Sequence, residues 1–353
     1  MKKTIKKLGV LAIAPAFLLL GSCRSNDTDG SMASSGPAAL NISLGGTDFG
    51  GTSDGGQASL GKEVRESRAV MLTPSTQAMI EVSSEPGMVK GSSKSGGLAV
   101  VPGDALGPGN AFRVIAYRGS DGSYQGHQDY VVGGASTPLH LDEGGIAYTL
   151  VAYSYGTSTL PAISAGEMNN ISRAVVSYDN SNPDFMYQQL SVIPRGHNNP
   201  LMLTLRHKLS LLTATLDVTN LGMGAITSVS NSRITPHSTT GTIALSTGIM
   251  TRGVTTANVP VTFSGPFPQN VVSSLPVWVN ANASSRDDVN PRNVRQLLAN
   301  ITVGGTSKSL TIPSFTITPE RRQNIRVKFT TCGAYVGPNT NPANFRAFQC
   351  HNV

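Results

Sequence analysis

The sequence predicts an all-β protein: two tandem β-sandwich domains that follow an export signal and a Gly/Ser-rich tether. Three observations predict it. Apolar residues alternate with period two in one short run after another, and clusters of Gly, Pro, Asn or Asp separate the runs. No long stretch carries the 3.6-residue periodicity of an amphipathic helix. Only 13% of the 353 residues are charged, against about 25% in a typical soluble domain, while 38 Gly and 21 Pro supply the turns that many short strands need.

The first element is an export signal at residues 1–22. Lys2, Lys3, Lys6 and Lys7 precede an apolar run from residue 8 to 20 that is short for a bilayer span. Leu20-Gly21-Ser22-Cys23 then has the form of a bacterial lipobox, so Cys23 is the expected site of lipidation. Two or more acyl chains (diacylglyceryl, palmitate) on that thiol would anchor the protein without a transmembrane helix. An ordinary signal peptide followed by an incidental cysteine is the alternative.

Residues 23–68 form the second element, a tether or propeptide rich in Gly, Ser and Asp. One short strand is expected inside it, because Ala39-Leu40-Asn41-Ile42-Ser43-Leu44 alternates. Gly51-Thr52-Ser53-Asp54-Gly55 matches G-x-S-x-G in form. It lacks the strand-to-helix context that makes such a serine a nucleophile.

Period-two runs follow at 111–117, 146–155, 201–218, 259–263, 275–279, 297–303, 310–317 and 325–329. The run 201–218 is the most informative. Odd positions are mainly apolar up to Leu211 and even positions from Leu212 to Val218, so the buried face switches. Such a strand must bulge or pass between sheets. The turn-rich segments at 180–183 and 195–200 place a boundary just before it, giving sandwiches at 69–197 and 198–331 and a Cys-bracketed tail at 332–353.

The formal charge of +7 invites a nucleic-acid or membrane-surface role, and the position of the charges argues against the first. Removing the signal lowers Lys plus Arg from 27 to 23 against 20 acids, leaving +3. No basic run longer than Arg321-Arg322 remains in the body and no aromatics interleave with bases, so no nucleic-acid partner is expected.

Catalytic, cofactor and metal sites also lack local support. His127, His140, His197, His207, His237 and His351 form no H-x-x-H pair, and no C-x-x-C exists. Asp142-Glu143 and Asp287-Asp288 sit beside turn residues. Arg206-His207-Lys208 reads either as an anion site or as a charged edge strand. Trp278, the sole tryptophan, reads as a carbohydrate platform or as a core or interface residue. In an exported protein with Cys23 acylated, Cys332 and Cys350 are most simply a disulfide, with two buried or reactive thiols as the alternative. Closing a loop of that length would contribute roughly 3 kcal/mol.

The lipobox, the tether, the two β-rich halves, the strand Leu203-Thr204-Leu205-Arg206-His207-Lys208-Leu209 and the closing segments Phe315-Thr316-Ile317-Thr318-Pro319 and Ile325-Arg326-Val327-Lys328-Phe329 together resemble the fimbrillin superfamily of Bacteroidales. Glu320-Arg321-Arg322-Gln323-Asn324 departs from it, since Gly and Tyr are commoner there. A second resemblance, of 332–352 to the opening of a Fibrobacter-type paralogous domain, covers that opening alone and carries no activity over.

The first resemblance implies transthyretin-like sandwiches and a non-enzymatic structural subunit of surface fimbriae, with a minor, tip or accessory place as open as a major one, exported as an outer-membrane lipoprotein. It also implies trimming by an arginine-specific protease. Arg65 and Arg68, which follow the Gly-rich tether, are the candidate cut points, and simple linker charges are the alternative. Trimming would remove the strand at 39–44, leaving a groove for a strand from another subunit, with the donor drawn from residues 325–353. The rival expectation is a non-polymerising surface lipoprotein adhesin that stays anchored through Cys23 and binds a glycan, a host protein or a bacterial surface ligand.

Overall fold

A computed structural model describes residues 37–49, 64–73, 75–85, 105–282 and 295–332. These residues are all-β, with no helix among them. In chain order the strands are β1 (Ala38–Phe49), β2 (Val64–Thr73), β3 (Thr76–Glu85), β4 (Ala111–Arg118), β5 (Tyr124–Val131), β6 (Leu139–Leu141) and β7 (Tyr148–Ser154). Then come β8 (Val175–Asp179), β9 (Met186–Val192), β10 (Asn199–His207), β11 (Ser210–Asn220), β12 (Ile226–Ser238), β13 (Thr240–Ala244) and β14 (Met250–Arg252). The last six are β15 (Thr256–Pro260), β16 (Val271–Ser273), β17 (Val277–Val279), β18 (Arg295–Val303), β19 (Thr306–Phe315) and β20 (Arg322–Thr331). Residues 35–353 cluster as one unit and residues 1–34 as another.

Among the described residues the larger unit contains four sheets. A seven-stranded sheet runs β5-β4-β7-β9-β10-β1-β6, and its two end strands, β5 and β6, approach each other. One face encloses a core of Leu40, Ile42, Phe112, Val114, Leu150, Leu203 and their neighbours. Its other face packs Ile115, Tyr153 and Tyr187 against Val176, Tyr178 and Ile243 of the small sheet β14-β13-β8. Burial on both faces explains why β4, AFRVIAYR, is nearly continuously apolar instead of alternating.

The third core lies between the sheet β16-β11-β20-β3-β2, with β17 also on β11, and the sheet β15-β12-β18-β19. Here alternation is clean. In β18 every second residue from Arg295 to Val303 is buried, as expected for sheets with one dry face. Gly304 (φ 53°) and Gly305 (φ 80°) make the two-residue turn from β18 to β19. Positive φ at both central residues is what a type I′ hairpin requires.

The switch of buried face within 201–218 is realised as a passage between sheets. β10, with Leu203 and Leu205 buried, belongs to the seven-stranded sheet, while β11, with Leu212, Ala214 and Leu216 buried, joins β20 and β16. The expected short strand at 39–44 is longer, extending as β1 to Phe49. One expectation is corrected. β20 lies between β11 and β3, with Ile325 and Val327 fully buried, so residues 325–331 cannot serve as a donor strand without dismantling that core.

Candidate strand-acceptor site

β1 runs parallel to β10 over nine register pairs, from Leu40↔Asn199 to Phe49↔His207, and antiparallel to β6 over three. Ala38, Leu40 and Ile42 point inward, Asn41 and Ser43 outward. The alternation then breaks. The register shifts between Leu44 and Gly46, after which Thr47 and Phe49 are the buried residues. Gly46 takes φ 141°, so the kink depends on that glycine, while a Cβ at Gly45 would stand 3.0 Å from Met202 Cγ and press its side chain aside.

Few side-chain bonds fix this strand in place. Asn41 Nδ2 donates to Asn198 Oδ1 (2.7 Å), Ser43 Oγ donates to the Leu201 carbonyl (3.3 Å), Asn199 Nδ2 donates to the Ala39 carbonyl (3.2 Å), and Ser136 Oγ donates to the Ile42 carbonyl (3.3 Å). Backbone pairing and apolar burial also hold it. Each fully buried Leu, Ile or Phe contributes about 1.5–3 kcal/mol.

At its C-terminal end β1 reaches the point where the seven-stranded sheet adjoins β11, β17 and β20. The Phe49 ring stacks on His207 (centroids 4.4 Å apart) and on Trp278 (5.8 Å), and the guanidinium of Arg322 lies 5.1 Å from its centroid. His207 Nδ1 is 2.5 Å from Asp184 Oδ2, and Asp184 Oδ1 accepts from the Phe185 N–H (2.7 Å). Burial pushes the Asp184 carboxyl up, against the opposing pull of His207. Of the two readings of Arg206-His207-Lys208, the anion site loses its centre. His207 is buried against a carboxylate, and Lys208 Nζ is bound to Glu320 Oε1 at 2.9 Å. Trp278 is a stacked interface residue.

The other sequence candidates are scattered. Arg65 and Arg68 lie within β2, which among the described residues is an edge strand paired along one side with β3 (Arg65↔Ser83, Arg68↔Ile80). They therefore sit in ordered strand, where flexible chain was expected. Cys332 is buried after β20, its N–H donating to the Ser75 carbonyl (2.9 Å). Cys23, Cys350, His351, Asp287, Asp288 and the G-x-S-x-G segment lie outside the described residues. Among the described residues no group of three or more His, Cys, Asp or Glu could hold a metal ion, and no helix is long and apolar enough to cross a membrane. An apolar groove of about 630 Å³ lies between β2 and β19, lined by Val70, Leu72, Val218, Leu310 and Phe329.

His237 is a buried neutral imidazole. Its Nε2 pairs with Asn180 Oδ1 (2.6 Å), and Nδ1 accepts from the Asn280 N–H (3.0 Å). Burial, with Arg295 nearby, pushes its pKa down to about 4. An unfolded histidine titrates near 6.5, so the unfolded chain binds the extra proton between these values. Its contribution to stability is complete above pH 6.5 and is lost as pH falls toward 4, in total on the order of 3 kcal/mol. Replacing His237 by Gln should flatten the dependence of urea midpoint on pH across that window; an unchanged slope would refute the assignment.

No family model matches the chain. No curated protein matches it either. Among solved structures it is similar to a candidate cell adhesion protein of Bacteroides fragilis, with 12% identity over 86% of this chain and 100% of that one and a TM-score of 0.45. A candidate cell adhesion protein of Parabacteroides distasonis gives 10% identity over 70% and 86%, with a TM-score of 0.42. Candidate polysaccharide binding proteins of Bacteroides thetaiotaomicron give 10% over 63% and 84%, with a TM-score of 0.36.

Proposed function

We propose that this is a structural subunit of cell-surface fimbriae, exported to the outer membrane through a lipid on Cys23 and assembled by strand exchange at the place held by β1. One observation carries this reading. β1 lies N-terminal to Arg65 and Arg68, yet it sits inside a sheet whose other strands all come from residues 111–207. A single cut at either arginine frees β1 from the rest of the chain. Its departure would leave β10 with an unpaired edge above Leu203 and Leu205, a template for a strand from another subunit.

The edge position of β2 supports access for a protease that reads extended chain. Cutting after Arg65 or Arg68 also shortens β2 while leaving at least Ala69–Thr73 on β3. The trimmed form carries about +5 by formal charge: a cut after Arg65 removes three more bases and five acids beyond the signal, and one after Arg68 removes four and six. The accompanying domain division is 69–197 and 198–331, with β3 of the first contributing Ala78, Ile80 and Val82 to the core of the second. Cys332 and Cys350 are proposed to close the tail as a disulfide.

The intact mass of the surface-exposed protein tests this reading. A mature start at Glu66 or Ala69 is the expected result. A triacylated Cys23 on the surface form, or purified filaments lacking the chain, would overturn it in favour of a permanently anchored adhesin.

A further inference from the structure

The strand-acceptor site has one place where it can read sequence. Backbone pairing to β10 is indifferent to side chains, and Leu40 and Ile42 enter a broad apolar core in which Phe112, Tyr130 and Tyr148 are mixed with aliphatic residues. Phe49 alone meets a built recess with flat walls. His207 and Trp278 stack face to face with the Phe49 ring, at interplanar angles of 23° and 16°, and Arg322 covers it as a cation.

These walls are held without β1. His207 is fixed by Asp184 and by pairing with Met186 of β9. Trp278 pairs with Leu211, and Arg322 pairs with the same residue from the other side. Such surfaces favour an aromatic ring over an aliphatic chain of equal bulk. Offset stacking and the attraction of a cation to a ring face are lost when the ring is lost.

We infer that the Phe49 recess is an aromatic-selective anchor that decides which strand the groove accepts. This rests on the strand-exchange reading above and specifies its partner. The partner strand lies parallel to β10, places an aliphatic residue opposite Leu201, and carries a Phe or Tyr seven residues later, opposite His207. Between them it needs a glycine where Gly46 takes φ 141°, and a side chain at the position of Gly45 would have to displace that of Met202. The register is thereby fixed at one end by an aromatic and in the middle by the bulge.

The test uses the full chain with a specific protease site placed within residues 50–63 and then nicked, so that β1 stays docked without its covalent link. Synthetic peptides of residues 37–49 compete with a labelled copy for the groove, and Trp278, the sole tryptophan, reports occupancy by its emission. The native and Phe49→Tyr peptides should compete within about threefold of each other, and Phe49→Leu should be weaker by about tenfold or more. Equal competition by the Leu peptide would overturn the aromatic anchor while leaving strand exchange standing. If no peptide exchanges at all, strand exchange fails, and the anchor is then judged on the intact chain. There Phe49→Leu should raise the unfolding equilibrium constant at least about tenfold over Phe49→Tyr, and equality of the two would overturn the anchor as well.

Discussion

Replacing Arg113 by Ala should lower the unfolding free energy by about 3–5 kcal/mol, the cost of leaving a buried ionic partner uncompensated. Arg113 is 2% exposed in the middle of β4. Its Nε and Nη2 fork onto Asp129 at 2.7 and 2.8 Å, Nη1 reaches Tyr153 Oη (3.0 Å) and Glu167 Oε1 (3.2 Å), and Nη2 also donates to the Pro161 carbonyl (2.9 Å). Burial alone would pull the guanidinium down, but Asp129, Tyr153 and Glu167 together raise it, so it stays charged.

Glu167 is the group that suffers. It is 4% exposed, accepts from the Tyr153 hydroxyl in a short bond, and takes the Ser164 N–H on Oε2 at 2.8 Å. Without Arg113 its carboxylate faces only neutral donors. Asp129, whose side chain is 45% exposed, can turn to water and adds less. Arg113→Lys should recover only part of the loss, since an ammonium cannot make the planar fork. Urea unfolding with an unchanged m-value reads both variants. A change below about 1 kcal/mol for Arg113→Ala would show that the network is not a stabilising pin.

These residues also show what the sequence could and could not disclose. Where a strand has one dry face, as β18 and β20 do, alternation makes it legible without any partner. Arg113 interrupts an apolar run, which locally suggests an outward residue; its partners stand 16 and 54 positions away, and only the fold brings them in. Phe49 was hidden for a different reason. The alternation from Ala39 ends at Leu44, and the kink at Gly45 and Gly46 changes the phase, so a period-two reading stops five residues short of the anchor.

β20 misled in a third way. Its alternation would suit an edge strand equally well. Its parallel pairing with β11, which makes it internal to its sheet, is a long-range fact with no local mark. The phase switch in 201–218 was legible because both faces are recorded within one continuous segment.

Ile42→Asp should be as costly as the loss of Arg113, about 4 kcal/mol or more, while its neighbour Asn41→Asp should change stability by less than about 1 kcal/mol. The contrast follows from the pleat. Ile42 is 4% exposed among Leu203, Leu205 and the rest of that core, so a carboxylate there is buried without a partner. Asn41 points to solvent opposite Asn198, whose amide accepts from it and can turn over to donate to an aspartate. A one-residue slip of β1 on β10 would invert both results, because it would turn Asn41 inward and Ile42 outward. The same pair of variants therefore measures register and stability together. Since β1 is held mainly by backbone pairing and by this apolar face, Ile42→Asp should also expel it. Trp278, stacked on Phe49 at 5.8 Å, would then shift its emission to the red. Loss of stability without that shift would mean that β1 stays docked and the damage lies elsewhere in the core.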